Sequence, residues 1–147
     1  MVWGCFSYAG LGNVYHIQDI LTAARYVRIL SGQMRPSADR LIGPNYIFQQ
    51  DNDPKHTAKV TKKYFETKNI QVLEWPSMSP DLNPIENLWH ELKKLIHEEK
   101  ITSKHDILAV LKRCWEMIPK DYLENLVQSM RRRIDMVIAN KGLWTDY

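Results

Sequence analysis

Cysteine is scarce in this chain, with only Cys5 and Cys114 among 147 residues. Two cysteines that far apart make neither a disulfide framework nor a metal-ligand spacing, so a reducing compartment fits and both thiols are expected to pack as small buried groups. Long apolar runs are missing too, which excludes a membrane-spanning helix. No charged start followed by an apolar stretch gives a secretory signal. No glycine loop has a P-loop or dinucleotide pattern, and no serine or cysteine sits in a recognisable nucleophile setting. His90-Glu91 opens the zinc-protease word H-E-x-x-H, but Lys94 stands where its second histidine must be. His90 and His97 fall on roughly one helical side without making a metal site. The expectation is a soluble, intracellular protein with no membrane partner.

What is present is ordinary in amount: 44% hydrophobic and 25% charged residues, with a net charge of +3. The length suits one domain, residues 1–147, with a sizeable core. The charge is mildly compatible with a polyanionic partner. Arg131-Arg132-Arg133 is too short for a nuclear-import signal and reads as a solvated helix face.

The pattern along the chain is mixed. Val2 to Tyr8 and Asn13 to Ile17 read as strands, with Ala9-Gly10-Leu11-Gly12 between them for a β-hairpin. Ala23, Tyr26, Val27 and Leu30 have helical spacing from the N-cap Thr22 to about Met34, and Ser31-Gly32 would fray the end. A strand over Tyr46 to Gln50 precedes Asp53-Pro54, a cap and first-turn pair for a helix to about Thr67, with Val60, Tyr64 and Phe65 inward. Val72 to Trp75 is the next strand. Strand, helix and strand in that order predict a parallel pair with a right-handed crossover. Three helices follow: from Asn83-Pro84 with a stripe of Ile85, Leu88, Trp89, Leu92, Leu95 and Ile96; from Thr102 or Ser103 with Ile107, Val110, Leu111, Cys114, Trp115 and Ile118; and, after Pro119, one carrying Leu123, Leu126, Val127, Met130, Ile134 and Val137. Asn140-Lys141-Gly142 supplies the last stop. Trp75, Trp89 and Trp115 lie on apolar faces and are assigned to packing.

Two acids stand out. Asp51 ends the run Tyr46-Ile47-Phe48-Gln49-Gln50-Asp51, and Glu86 sits in Ser79-Pro80-Asp81-Leu82-Asn83-Pro84-Ile85-Glu86-Asn87-Leu88-Trp89, with 34 residues between them. Ligands gather beyond the carboxyl ends of parallel strands, which is where Asp51 falls. Glu86 lies in the first turn of the helix after the next strand, where the connector can fold it back toward the same edge. Carboxylates there suit magnesium, which wants hard oxygen ligands. Two such ions about 3.5–4 Å apart can clamp both oxygens of a phosphodiester displacement. Singly, each acid has a structural alternative: Glu86 as the glutamate of a capping box on Asn83, Asp53 as a helix cap, and Asp51 as the start of a turn.

Together with Val2-Trp3-Gly4-Cys5-Phe6, Phe48 through Ala58 and Leu73 through Trp89, the pair closely resembles the catalytic words of mariner-superfamily cut-and-paste DNA transposases, the Sleeping Beauty branch in particular. The resemblance implies an α/β, ribonuclease-H-like fold of the DDE type, here a β-hairpin plus a βαβ unit with C-terminal helices. It implies Asp51 and Glu86 as catalytic residues and ligands of Mg2+ or Mn2+, transposon-end DNA as partner, DNA strand cleavage and transfer for integration as the activity, and the nucleus as the place of action. His56 belongs to one of the matching words and needs no catalytic role.

No segment resembles the family's first-aspartate strand or its upstream paired-helix DNA-binding region, and neither Asp19 nor Asp39 matches the missing acid. With two carboxylates the cation is expected to bind weakly, and the chain alone is expected to lack transposition activity. That strand lies centrally in such a sheet. Its two halves must then pair directly or leave open edges, giving poor stability or self-association. Lys55, Lys59, Lys62 and Lys63 crowd one helix as candidate DNA-binding residues, with a solvated face as the equal alternative. A non-enzymatic DNA-binding or protein-association module descended from the same domain is the competing function.

Overall fold

The computed structural model describes residues 1–76, 79–99 and 106–141. These form two compact units: Met1–Cys5 with Gly12–Met78, and Phe6–Leu11 with Ser79–Tyr147.

β1 (Val2–Ser7) pairs with β2 (Gly10–His16), residues 2–5 and 12–16 of the hairpin belonging to the first unit and Phe6–Leu11 to the second. The hairpin turn is the two residues Tyr8 and Ala9, tighter than the Ala9–Gly12 connection expected. At its base, Ile17 N–H donates to the Met1 carbonyl at 2.8 Å. Gly12 is needed where the hairpin meets the helix beside it. A Cβ there would collide with Cys5 Sγ and lie 2.9 Å from Ser37 Cβ. Next to it, Asn13 N–H donates to Ser37 Oγ at 2.8 Å, and Ser37 Oγ donates to the Gln33 carbonyl at 2.7 Å.

The helix after the hairpin does not fray at Ser31-Gly32. Thr22 caps α1 (Ala23–Ile29), its Oγ1 accepting from Arg25 N–H at 3.3 Å. A π-helical turn over Leu30–Met34 then carries the helix directly into α2 (Arg35–Leu41). Pro36 supplies a reason. It has no N–H to give and its ring crowds the carbonyl four residues back, so a wider turn accommodates it. Asp39 accordingly lies inside α2.

The central strands are short. β3 (Ile47–Phe48) and β4 (Gln71–Val72) run parallel, Ile47 opposite Gln71 and Phe48 opposite Val72, as the βαβ order predicts. The crossover is broken at Ala58 (φ −58°, ψ 149°) into α3 (Pro54–Thr57) and α4 (Lys59–Thr67). Thr61, fully buried, reaches across that break with its Oγ1 donating to the Lys55 carbonyl at 2.7 Å. Tyr64 and Phe65 turn inward as expected, whereas Val60 is exposed. Tyr26, Leu30, Met34 and Phe65 form the core of this unit, with Trp3, Phe48 and Val72 packed on it from β1, β3 and β4. Full burial of a side chain such as Leu30 is worth about 1.5–3 kcal/mol. The hairpin and the β3–β4 pair remain separate two-stranded sheets among the described residues.

In the second unit a 3-10 turn (Pro80–Leu82) leads into α5 (Pro84–Glu98), which packs on α6 (Asp106–Glu116) and α7 (Lys120–Ala139). Leu88 and Leu92 of α5 and Val110, Leu111, Cys114 and Trp115 of α6 are buried, with Trp89 and Trp115 5.5 Å apart. The expected start of α6 at Thr102 or Ser103 lies outside the described residues, and Ile107 is exposed. On α7 the inward stripe is Leu123, Leu126 and then Arg133; Ile134 faces out. The left-handed residue ending α7 is Lys141 (φ 54°).

Candidate active site

Gln49, Gln50 and Asp51 leave the carboxyl end of β3, and the loop is tied to the segment that follows β4 by Asn52 Nδ2, which donates to the Trp75 carbonyl at 2.8 Å. Asp51 then starts an Asx turn, its Oδ1 accepting from Asp53 N–H at 3.0 Å. Two residues on, Asp53 caps α3, accepting from Lys55 N–H at 2.8 Å, while Lys55 Nζ lies 2.7 Å from the same carboxylate. Both structural roles assigned to these acids from their local sequence are therefore present, and neither uses up Asp51. Its side chain remains 50% exposed.

His56 closes the group. Its Nδ1 lies 2.5 Å from Asp51 Oδ1, and its ring lies 4.1 Å, centroid to centroid, from that of Tyr26. Tyr26 is buried in the core and its hydroxyl donates to Gln50 Oε1 at 2.7 Å. Gln50 Nε2 donates in turn to the His56 carbonyl at 3.3 Å. Burial, followed by the charges of Asp51 and Asp53, pushes the Tyr26 hydroxyl well above its ordinary range, so it stays a donor. Sequence patterns assign Tyr26 to the core and give Gln50 no role. The signal for Gln50 is its place immediately before Asp51, in the segment that leaves β3 beside α1.

Glu86 occupies the first turn of α5 in the second unit and is exposed. Pro84 starts the helix, but Asn83 makes no side-chain cap bond to it, so the capping-box alternative is not built. Instead the turn before Glu86 is fastened to α7. Arg133, 2% exposed, donates from Nη1 to the Asp81 carbonyl at 2.9 Å and from Nε to Ser129 Oγ at 2.8 Å. Tyr122 donates to the Asn87 carbonyl at 3.2 Å. The solvated face expected of Arg131-Arg132-Arg133 thus fails at Arg133, because two polar groups of its own unit receive its guanidinium.

Among the described residues no three or more His, Cys, Asp or Glu side chains gather as a metal cluster, and no helix is long and apolar enough to cross a membrane. Lys59, Lys62 and Lys63 are exposed on one face of α4, opposite Thr61 and Phe65, and form no ion pair among the described residues. Lys55 shares its charge with Asp53.

The family described as DDE superfamily endonuclease matches residues 2–108. The chain belongs to this family. Among curated relatives, the Tc1 transposase of Caenorhabditis elegans is 40% identical over 147 residues, covering all of the chain and 54% of the relative. The Tc3 transposase of Caenorhabditis elegans is 33% identical over 146 residues, covering 97% of the chain and 44% of the relative. The chain therefore spans about half the length of the curated relatives it matches. The catalytic domain of Mos1 transposase, solved with Raltegravir and Mn, superposes with a TM-score of 0.89 at 21% identity over 99% of the chain and 76% of that domain. A Mos1 mariner paired-end complex with Mn gives 0.87 at 22% identity over 99% of the chain and 44% of that protein. The chain thus has the ribonuclease-H-like α/β fold of the Mos1 catalytic domain, and its sequence resembles the catalytic domain of Tc1/mariner-type transposases.

Proposed function

We propose that this chain is catalytic-domain material of a Tc1/mariner-type transposase, in which Asp51 and Glu86 hold a divalent cation, Mg2+ or Mn2+, for breaking and joining DNA strands. The observation that carries this reading is Asp51. It stands at the carboxyl end of a parallel strand, half exposed, with Oδ1 held by two donors and Oδ2 without a protein partner among the described residues. A hard, pre-set, solvent-facing carboxylate oxygen is what a magnesium-type ion takes. Glu86, exposed in the first turn of α5 on a segment fastened by Arg133, offers the same chemistry. When bound, such ions stabilise the attacking and leaving oxygens of an in-line phosphodiester displacement. The protein's part is to hold the carboxylates oriented and to bind the DNA backbone.

Lys59, Lys62 and Lys63 suit the binding of that backbone, since three charges on one exposed helical face can meet phosphates without reading bases. The nucleus is the place of such work in a eukaryote. Two open-edged sheets are a route to self-association.

The exposed lysine face also favours a second reading, a DNA-binding module without chemistry. A chimera separates the two. The 147 residues replace the matching segment of the Tc1 transposase, which supplies the rest of the protein, and excision of a marked transposon is scored. Excision is expected, and Asp51→Ala or Glu86→Ala should each abolish it while leaving duplex binding intact. A folded chimera that binds duplex DNA in a salt-sensitive way but never excises, or that excises with Asp51→Ala, would contradict the catalytic reading.

A further inference from the structure

We propose that His56 is a positioning residue for Asp51, a clamp that fixes one carboxylate oxygen so that the other is presented to the cation. This rests on the reading of Asp51 as a cation ligand. A carboxylate can only accept, so the 2.5 Å contact between His56 Nδ1 and Asp51 Oδ1 places the proton on Nδ1. Oδ1 also takes Asp53 N–H at 3.0 Å. Two donors from different directions, one backbone and one side chain, set both the rotamer and the plane of the carboxylate. Oδ2 is left without a protein partner among the described residues.

The clamp is itself anchored. His56 is 18% exposed and its ring has one polar contact among the described residues, Asp51. Tyr26, at the centre of the first unit's core, lies against that ring at 4.1 Å. Gln50 joins the two, accepting from the Tyr26 hydroxyl at 2.7 Å and donating to the His56 main chain at 3.3 Å. The imidazole is therefore held by its ring face and by its backbone, with Nδ1 aimed at the acid. A histidine needed only to start a four-residue helix would require none of this, because Asp53 and Pro54 already start α3. Outer partners that orient a metal-binding carboxylate are worth typically 10–100-fold in metal affinity.

The test uses Mn2+ on the full 147-residue chain, isotopically labelled, and follows paramagnetic broadening of the amide signals of residues 50–53 against those of α7. His56→Leu should raise the Mn2+ concentration for half-broadening about tenfold or more. His56→Asn, whose amide nitrogen takes the place of Nδ1, should restore native behaviour. His56→Gln, whose amide reaches the Nε2 position instead, should not. Thermal melts accompany each variant; should the leucine variant unfold, the contrast between asparagine and glutamine decides. Native broadening in His56→Leu, or equal loss in the asparagine and glutamine variants, would overturn the clamp and leave Asp51 as a ligand. An absence of selective broadening in the native chain would remove both.

Discussion

At the scale of the residue, Asp53 shows why an acid in a matching motif need not be a ligand. Burial pushes its carboxyl up. The side-chain and backbone hydrogen bonds from Lys55, then the charges of His56 and Lys55, outweigh that and hold it below its ordinary value of 3.8. A group depressed in the folded state stabilises the fold above its unfolded value, and that contribution is lost as the pH falls through the folded value. Denaturant midpoints taken from about pH 5 down to pH 2 should therefore decline, and Asp53→Asn should flatten the part of the decline below 3.8. Acid profiles that coincide for the two proteins would contradict this. The cap was legible in the sequence because its signal is local: an acid, a proline and a following N–H. Arg133 was not legible. Its neighbours Arg131 and Arg132 mark a solvated face, and burying the third guanidinium depends on the Asp81 carbonyl 52 residues away. Of the two thiols expected to be buried, Cys5 is only half-buried. Cys114 is fully buried, and burial pushes the Cys5 thiol up to about 11.

At the scale of the element, the boundaries that moved share a cause. The π-helical turn before Pro36 lets one continuous helix replace a frayed one, and the bend at Ala58 splits another in two. Apolar spacing reports which face is inward, as with Tyr26, Leu30 and Phe65, but not how the backbone absorbs a proline or a buried threonine hydroxyl. The two glycines nearest these features should respond in opposite ways. A Cβ at Gly12 would also lie 2.9 Å from the Cys5 carbonyl oxygen, leaving the hairpin no room to stay on α2. Gly12→Ala should cost about 1–3 kcal/mol in urea unfolding. Gly32, inside the π-helical turn, has nothing within 4 Å of its would-be Cβ. Gly32→Ala should add roughly 0.5–1 kcal/mol, from the lower backbone freedom lost on folding. Equal effects of the two substitutions would count against the close approach at Gly12.

At the scale of the whole molecule, the parallel β3–β4 pair, the helical C-terminal part and the family were all readable, because each is written in contiguous words: Phe48 through Ala58 and Leu73 through Trp89 carry both the turn chemistry and the acids. The network around Asp51 was hidden because it joins α1 to the end of β3, and no periodicity in one segment reports on the other. The separation of the sheet into two halves is one of the two outcomes that the family resemblance left open. The measurement that most directly tests the central proposal, that Asp51 and Glu86 are both cation ligands, is iron-directed backbone cleavage. Fe2+ is added to the full chain, ascorbate and peroxide generate radicals where it binds, and the fragments are mapped. Cuts should appear near both residue 51 and residue 86, disappear together in Asp51→Ala or in Glu86→Ala, and be suppressed by excess Mg2+. Cuts near only one of the two, or cuts at both that survive either substitution, would contradict it.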